Sequence, residues 1–404
     1  MNAALTRASS SRSGVPPRRR RAPSAALILA ALAACAGVGL TGRVARAQET
    51  TGRIVGQVTD EATHTPQVGV TVILQGQQGE DAALTDDRGE YSFVNLALGT
   101  YTVRFYNATS STNVERNDLV VSAGATLRAD VVIPSQAAPQ ETYVIKKKAA
   151  AVDVGSTRLG LTLNEDYMKN LALDRTFGDL VLKAPGAFLE TSGGVSIAGA
   201  SGLENVYMVD GLNVTGMELG DIMNKRPDAA GGSNLNLDFI KELQINTGGY
   251  RAEFGGAMGG VVNVVTKSGT NDLHGSAFMY WSPYWLSGAT TSIQTNASVL
   301  SGVDKPDYDM NVGFEVGGPL VKDKAFFWVG FAPRLEKSHF FRDVRPLVED
   351  PAGGDPQPGD VTMRTRTREL RQSYQYGVKL DFIPTVDHKL TVSLFQTPTA
   401  SEHV

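Results

Sequence analysis

Between Tyr374 and Phe382 every second residue is bulky and apolar, and the residues between them are Gln375, Gly377, Lys379 and Asp381. Successive side chains of a β-strand point to opposite faces, so this segment builds a surface that is greasy on one side and polar on the other. Met310, Val312, Phe314 and Val316 repeat the pattern against Asn311, Gly313, Glu315 and Gly317. Leu390, Val392 and Leu394 repeat it against Thr391 and Ser393. Strands of about nine residues with this alternation match those that cross a membrane within a β-barrel. A soluble sheet with one wet face explains any single strand, but the connections argue against it for the set. Residues 318–324 and 384–388 are short links, 283–307 and 334–372 are long ones, and about five strands follow that rhythm. Short turns on one side and long loops on the other mark an outer-membrane barrel. Tyr280, Trp281, Tyr284, Trp285 and Trp328 are expected in the interfacial girdles.

The amino terminus reads as an export signal. Arg18 to Arg21 form a basic region, residues 25–40 an apolar core, and Ala45-Arg46-Ala47 a cleavage site before Gln48. The apolar run is shorter than the ~20 residues a spanning helix needs. Leu32-Ala33-Ala34-Cys35 resembles a lipobox, but the apolar run continues to Leu40, so removal of residues 1–47 is expected instead. That segment carries eight arginines and no acid, so its loss takes the formal charge from −4 to −12. Such acidity argues against nucleic acid as a partner, since that binding rests on neutralising phosphates. The single Cys leaves with the leader, so the mature chain has no disulfide. No later apolar run is long enough for a spanning helix, so a membrane can be entered only as a β-barrel.

Residues 48–134 read as a β-sandwich. Val68, Val70, Val72 and Leu74 alternate with polar or small residues, as do Tyr101, Val103 and Phe105, and Leu127, Ala129, Val131 and Ile133. Turn signals at Asp86-Asp87-Arg88-Gly89, Leu98-Gly99 and Ala123-Gly124 separate about seven short strands, which suits an all-antiparallel sandwich. Residues 135–160 have the composition of a tether. Thr142 to Ile145 form a β-prone run in it with no local partner. Such a run can add to the edge of another protein's sheet, or it can pair with the sandwich or the next domain.

Residues 161–269 are mixed. Asn164 can cap a short helix at 165–171, a second helix is expected at 176–182, and short strands at 195–197, 205–209, 241–245 and 261–266. Asp210-Gly211 reads as a turn closing a strand. Glycines crowd the end of this region at Gly248, Gly249, Gly255, Gly256, Gly259 and Gly260, around Tyr250, Glu253 and Phe254. So many glycines beside one Val-rich strand suggest a small sheet packed inside something close-fitting.

Conventional catalytic constellations are missing. The five histidines (64, 274, 339, 388, 403) lack metal-ligand spacing. Thr266-Lys267-Ser268 lacks the glycine that a phosphate loop needs before its lysine. No catalytic residue, metal or cofactor is expected.

Several motifs, in order, carry a family resemblance. TDDRGEYSFVNLALGTYTV at 85–103 resembles the carboxypeptidase regulatory-like domain, which implies a non-catalytic accessory module. SIAGASGLENVYMVDGLNVTG at 196–216 and FIKELQINTGGYRAEFGGAMGGVVNVVTKSGTNDLHGSAFMYW at 239–281 look like the plug of TonB-dependent receptors and its junction with the barrel. GGYRAEFG, VTKSGTN and GGPLVKDKAFFW (317–328) are similar to the Oar-like subgroup. The resemblance implies a mainly β protein: an N-terminal β-sandwich, an α+β plug domain at 161–269, and the first strands of an antiparallel transmembrane β-barrel at 270–404. By position it makes Glu141, Thr142, Tyr143, Val144 and Ile145 a TonB-box-like segment, with Tyr143 where the family usually has Val. It further implies gated uptake of an extracellular ligand across the outer membrane of a Gram-negative bacterium. TonB and its ExbB/ExbD-type energising complex would be partners, with outer-membrane lipid around the barrel. The sandwich and linker would lie on the periplasmic side. A surface adhesion or assembly protein is the alternative. Family barrels have about two dozen strands and this chain offers about five, so it is expected to be a fragment.

Overall fold

The computed structural model describes residues 50–107, 112–134, 142–145, 158–170, 177–190, 194–215, 235–250, 254–286, 293–294, 298–348, 356–385 and 388–403. The candidate leader, Glu141, Glu253 and most of the long loop after Thr215 lie outside these residues.

The sandwich forms because its period-two apolar positions meet between two sheets. One sheet runs Glu90–Leu96, Gly52–Asp60, Thr126–Arg128, with Val131–Ile133 also on Gly52–Asp60. The other runs Gly79–Leu84, Thr71–Gly76, Gly99–Asn107, Thr112–Val121, Thr142–Ile145. Ile54, Val58, Val72, Phe93, Val103 and Phe105 fill the space between. The Tyr91 and Phe105 rings meet edge to face, 5.4 Å between centroids. Asp86 makes the hairpin corner by accepting from the N–H of Arg88 (2.9 Å) and Glu90 (2.8 Å), and Gly89 takes φ 70°. Two expectations change. The sandwich is not all-antiparallel, because Thr126–Arg128 and Val131–Ile133 both pair parallel to Gly52–Asp60. Val68 precedes the strand and is exposed, so only Val70, Val72 and Leu74 point inward.

A central sheet follows, in the order Leu159–Asn164, Ile240–Gly248, Val261–Thr266, Val206–Val209, Leu212–Asn213. Asn164 caps the helix Glu165–Asn170 by accepting from Tyr167 N–H at 2.9 Å. With the short helix Phe177–Val181 it covers a core of Leu163, Met168, Leu180, Tyr207, Leu243 and Val262.

The third sheet is an amphipathic wall of five principal antiparallel strands: His274–Pro283, Ser298–Val321, Ala325–Val348, Met363–Thr385 and His388–Gln396. The alternation of the sequence sets its faces. Phe314, Leu380 and Phe382 are exposed on one side, whereas Glu315, Gln375, Lys379 and Asp381 are buried on the other. His274–Pro283 and His388–Gln396 have the expected length, at 10 and 9 residues, but the others are far longer. Three have 23 or 24, and the ladder continues to Ser298↔Pro346 and Val344↔Met363, so much of the expected long loops is paired strand. Trp328 also departs from expectation. It is fully buried against the central sheet, leaving Trp281 and Trp285 as the exposed tryptophans of the wall.

Candidate functional site

The strand Val261–Thr266 is buried along its whole length, between the antiparallel Ile240–Gly248 and the parallel Val206–Val209. A strand covered on both faces needs apolar residues without alternation, and VVNVVT supplies them. Its exit brings Thr266, Lys267 and Gly269 to the inner face of the wall. There the two sheets meet.

Asp210 and Gly211 form the two-residue hairpin between Val206–Val209 and Leu212–Asn213, with φ 47° and 81°. That Asp-Gly turn is the expected one. The carboxylate has a second task that no local signal announces. It accepts from Thr266 N–H (2.9 Å), from the Thr266 hydroxyl, and from Lys379 Nζ of the wall at 3.1 Å. Lys379 Nζ also donates to the Thr266 carbonyl (3.3 Å) and hydroxyl (3.0 Å).

The neighbouring residue makes a second crossing. Lys267 Nζ lies 2.6 Å from Glu315 Oε1 on the wall and 3.0 Å from Glu165 Oε1 on the capped helix. Glu315 also accepts from Ser276 Oγ (2.8 Å) and Trp328 Nε1 (3.3 Å). Glu165 gathers Lys169 (2.7 Å) and Lys241 (3.2 Å) as well. Burial alone would raise the Glu165 carboxyl, but the hydrogen bonds and charges of Lys169, Lys267 and Lys241 outweigh it and hold the pKa at about 2. Further along, Asn236 Nδ2 donates to Gln375 Oε1 (2.9 Å) and the Tyr280 hydroxyl to Asp238 (3.2 Å). Phe239 packs edge-on to Trp328, 5.0 Å between centroids.

The glycine run divides by role. A Cβ on Gly259 or Gly260 would lie 2.4 Å from Asn205 Oδ1 or 2.5 Å from Ile197 Cδ1, so their close approach is to residues packed beside the central sheet and not to the wall. Gly269 is the one pressed to the wall, where a Cβ would meet Phe327 O at 2.3 Å and Gly318 O at 2.7 Å. Gly248 and Gly256 have nothing within 4 Å, and Gly255 is exposed. Gly249 and Gly256 serve turns, with φ 64° and 87°. Tyr250 closes this loop on itself by donating to Ala257 O (3.0 Å) and Gly259 O (3.2 Å), over buried Phe254. Within the glycine run, close packing against the wall is therefore confined to Gly269, where backbone faces backbone.

The sandwich docks on the other side. Glu242 Oε1 accepts from Ala123 N–H (3.0 Å), and Ala123 O accepts from Gln244 Nε2 (2.8 Å) and the Arg158 guanidinium (3.4 Å). Burial pushes the Glu242 carboxyl up, against the lowering effect of those hydrogen bonds and of Arg158. Gln77 O accepts from Asn271 N–H (3.0 Å), and Gln78 Nε2 donates to Gly269 O (3.1 Å). Sandwich, central sheet and wall enclose a cavity of about 420 Å³ edged by Gln77, Glu165, Lys241, Lys267 and Lys379.

The tether segment is placed at the sandwich edge. Thr142–Ile145 pairs parallel with 113–116, in the register Asn113↔Thr142 to Arg116↔Ile145. A run without a local partner thus has a distant one, since residues types in so short a strand do not reveal a parallel pairing. Lys267, Glu315, Glu165 and Lys379 are the site residues that sequence reading missed. For Glu315 and Lys379 the signal available was a charge at an inward position of an otherwise apolar-alternating strand; Glu165, on a helix, and Lys267, beyond its strand, carried none. Among the described residues no group of His, Asp or Glu is placed to hold a metal ion.

Residues 53–134 match the model of the carboxypeptidase regulatory-like domain, and 265–339 that of an outer membrane beta barrel domain. The TonB-dependent transporter Oar of Myxococcus xanthus is 32% identical over 381 residues, covering 90% of this chain and 35% of that protein. A TonB-dependent siderophore receptor of Acinetobacter baumannii, PirA, is 37% identical over 98 residues, 24% of this chain and 11% of the relative. The crystal structure of the siderophore receptor PirA from A. baumannii aligns with 60% of this chain and 44% of its own, at 15% identity and a TM-score of 0.30. The chain spans about a third of the length of the Oar relative. The Oar relative is of the subgroup to which the sequence motifs point. The first part of the amphipathic wall thus matches an outer membrane beta barrel domain, and the chain is similar to a TonB-dependent transporter along nine-tenths of its own length.

Proposed function

We propose that this chain forms the sandwich, plug and entry strands of a plug-gated, TonB-dependent outer-membrane receptor. Residues 1–47 are a leader, 48–134 the sandwich, 135–160 the linker, 161–269 the plug and 270–404 wall. The observation that carries the reading is the chemistry of the seat between central sheet and wall. Lys379–Asp210 and Lys267–Glu315 are buried ion pairs joining two separate sheets. A buried pair adds little net stability over apolar packing, yet breaking it singly is costly. It fixes where the central sheet sits and can be exchanged for water when that sheet is moved. Beside the apolar contact of Phe239 with Trp328, the seat is made of charged and polar groups, which suits a sheet that is to be moved.

TonB, driven by its ExbB/ExbD-type complex, engages 141–145 and loads the central sheet, and an extracellular ligand of unassigned chemistry binds on the outer side. No enzymatic step is assigned. The docked position of the sandwich speaks against adhesion through that module. The test is titration of the 404-residue chain, in detergent micelles, with the isolated periplasmic domain of TonB. Binding is expected, and it should be lost on deletion of 141–145 and in Val144→Pro. Undiminished binding in both variants would show that the tether is not the coupling strand.

A further inference from the structure

Thr142–Ile145 is the last strand of the five-stranded sandwich sheet, and among the described residues no strand occupies its other edge. A strand paired on one side still offers the backbone groups of its outer side to a further strand. We propose that the sandwich presents the tether as the outermost strand of its own sheet, and that TonB's periplasmic domain adds a strand to that edge. The TonB site is then a composite of sandwich and tether. This inference rests on the TonB reading given above and adds where, and in what state, the tether is bound.

Two physical arguments support it. The first is entropy. Ordering a backbone costs roughly 1–2 kcal/mol per residue. A free tether bears that cost when TonB captures it, whereas a docked tether is ordered beforehand, as in any preorganised binding site. The second is the path of load. The strand Thr112–Val121 that holds the tether runs directly into the turn at Ala123. That turn is clamped to the central sheet by Glu242, Gln244 and Arg158. A pull on the composite edge therefore reaches the strand Ile240–Gly248, next to buried Val261–Thr266, through folded sheet. In this view the sandwich belongs to the coupling machinery.

A disulfide between Glu115→Cys and Val144→Cys tests it, in a Cys35→Ser background. The two positions are directly paired, and Glu115 lies on the solvent side of the sheet, beside buried Val114. Adjacent strand positions point to opposite faces, so Glu115→Cys with Tyr143→Cys is the out-of-register control. The 404-residue chain in micelles is titrated with the TonB periplasmic domain, oxidised and reduced. We expect the in-register pair to oxidise faster than the control, and the locked chain to bind TonB within about threefold of the reduced chain. A loss of more than about tenfold on oxidation overturns the inference, because the tether must then leave the sandwich to bind. Equal oxidation of both pairs overturns it as well. No binding even by the reduced chain means the TonB reading itself has failed, which is a different result from binding that oxidation abolishes.

Discussion

Lys379 Nζ sits 3.1 Å from Asp210 Oδ1, with both side chains almost completely buried and each contributed by a different sheet. The pair joins a hairpin turn of the central sheet to the inner face of the wall, 169 residues later in the chain. Lys379 also holds Thr266, so one ammonium group ties the turn and the end of the buried strand to the wall together.

Lys379→Ala leaves the Asp210 carboxylate buried beside Thr266 with no cation. Breaking a buried pair in this way costs about 3–5 kcal/mol. Denaturant unfolding of the chain in micelles should show a loss of that size. The double variant Lys379→Met with Asp210→Asn should lose less than the single changes summed, by about 0.5–3 kcal/mol of coupling. Strict additivity would mean that the two residues do not act as a pair.

The Glu165 clamp should be insensitive to pH over the neutral range. Its carboxyl is held at about 2, below the ordinary 4.5, because the lysines around it outweigh burial. A depressed carboxylate adds stability that is full above the unfolded value and is lost as pH falls toward the folded one. The difference in unfolding free energy between the parent and Glu165→Gln should thus be flat from pH 5 to 7 and shrink between about 4.5 and about 2. A difference that changes instead between pH 5 and 7 would contradict this electrostatic account.

Glu242 has the opposite sign. Burial under the docked sandwich raises its carboxyl. The folded state then holds a proton that the unfolded chain releases, so this group lowers stability as pH rises above the ordinary carboxylate range. Hydrogen exchange at Ala123 reads the dock directly, through the N–H that Glu242 accepts. Protection there should fall in the parent as pH rises above the ordinary carboxylate range, and the slope should flatten in Glu242→Gln. An unchanged slope in the variant would assign the pH dependence elsewhere.

The glycines separate by substitution to alanine. At Gly269 the new methyl meets two backbone carbonyls of the wall, which cannot rotate away, so overpacking should cost about 1–3 kcal/mol or more. At Gly248 nothing lies within 4 Å and φ is not positive, so the change should be neutral or stabilise by up to about 1 kcal/mol. Thermal unfolding of the two variants should rank them in that order. Equal effects would remove the argument that the corner is packed backbone to backbone.

What the sequence alone determined is local. Period-two alternation fixed which side chains of 374–382 face outward, because neighbouring strand residues point apart whatever the strand pairs with. Asp210-Gly211 fixed a hairpin, and Asn164 a helix start, because both rest on dihedrals and hydrogen bonds within a few residues. Trp328 shows where that reasoning ends. From Phe326 to Ala332 both faces of the strand carry apolar residues, because the inner one packs on Phe239, so the period vanishes and the facing cannot be read. The tertiary structure alone decided the partners. Lys267 finds Glu315, Lys379 finds Asp210, and Thr142–Ile145 finds the strand that begins at Thr112. The physical reason is that an inward charge or a short β-prone run states a need for a partner. Which distant group meets that need depends on how the intervening chain closes and which register buries the apolar faces.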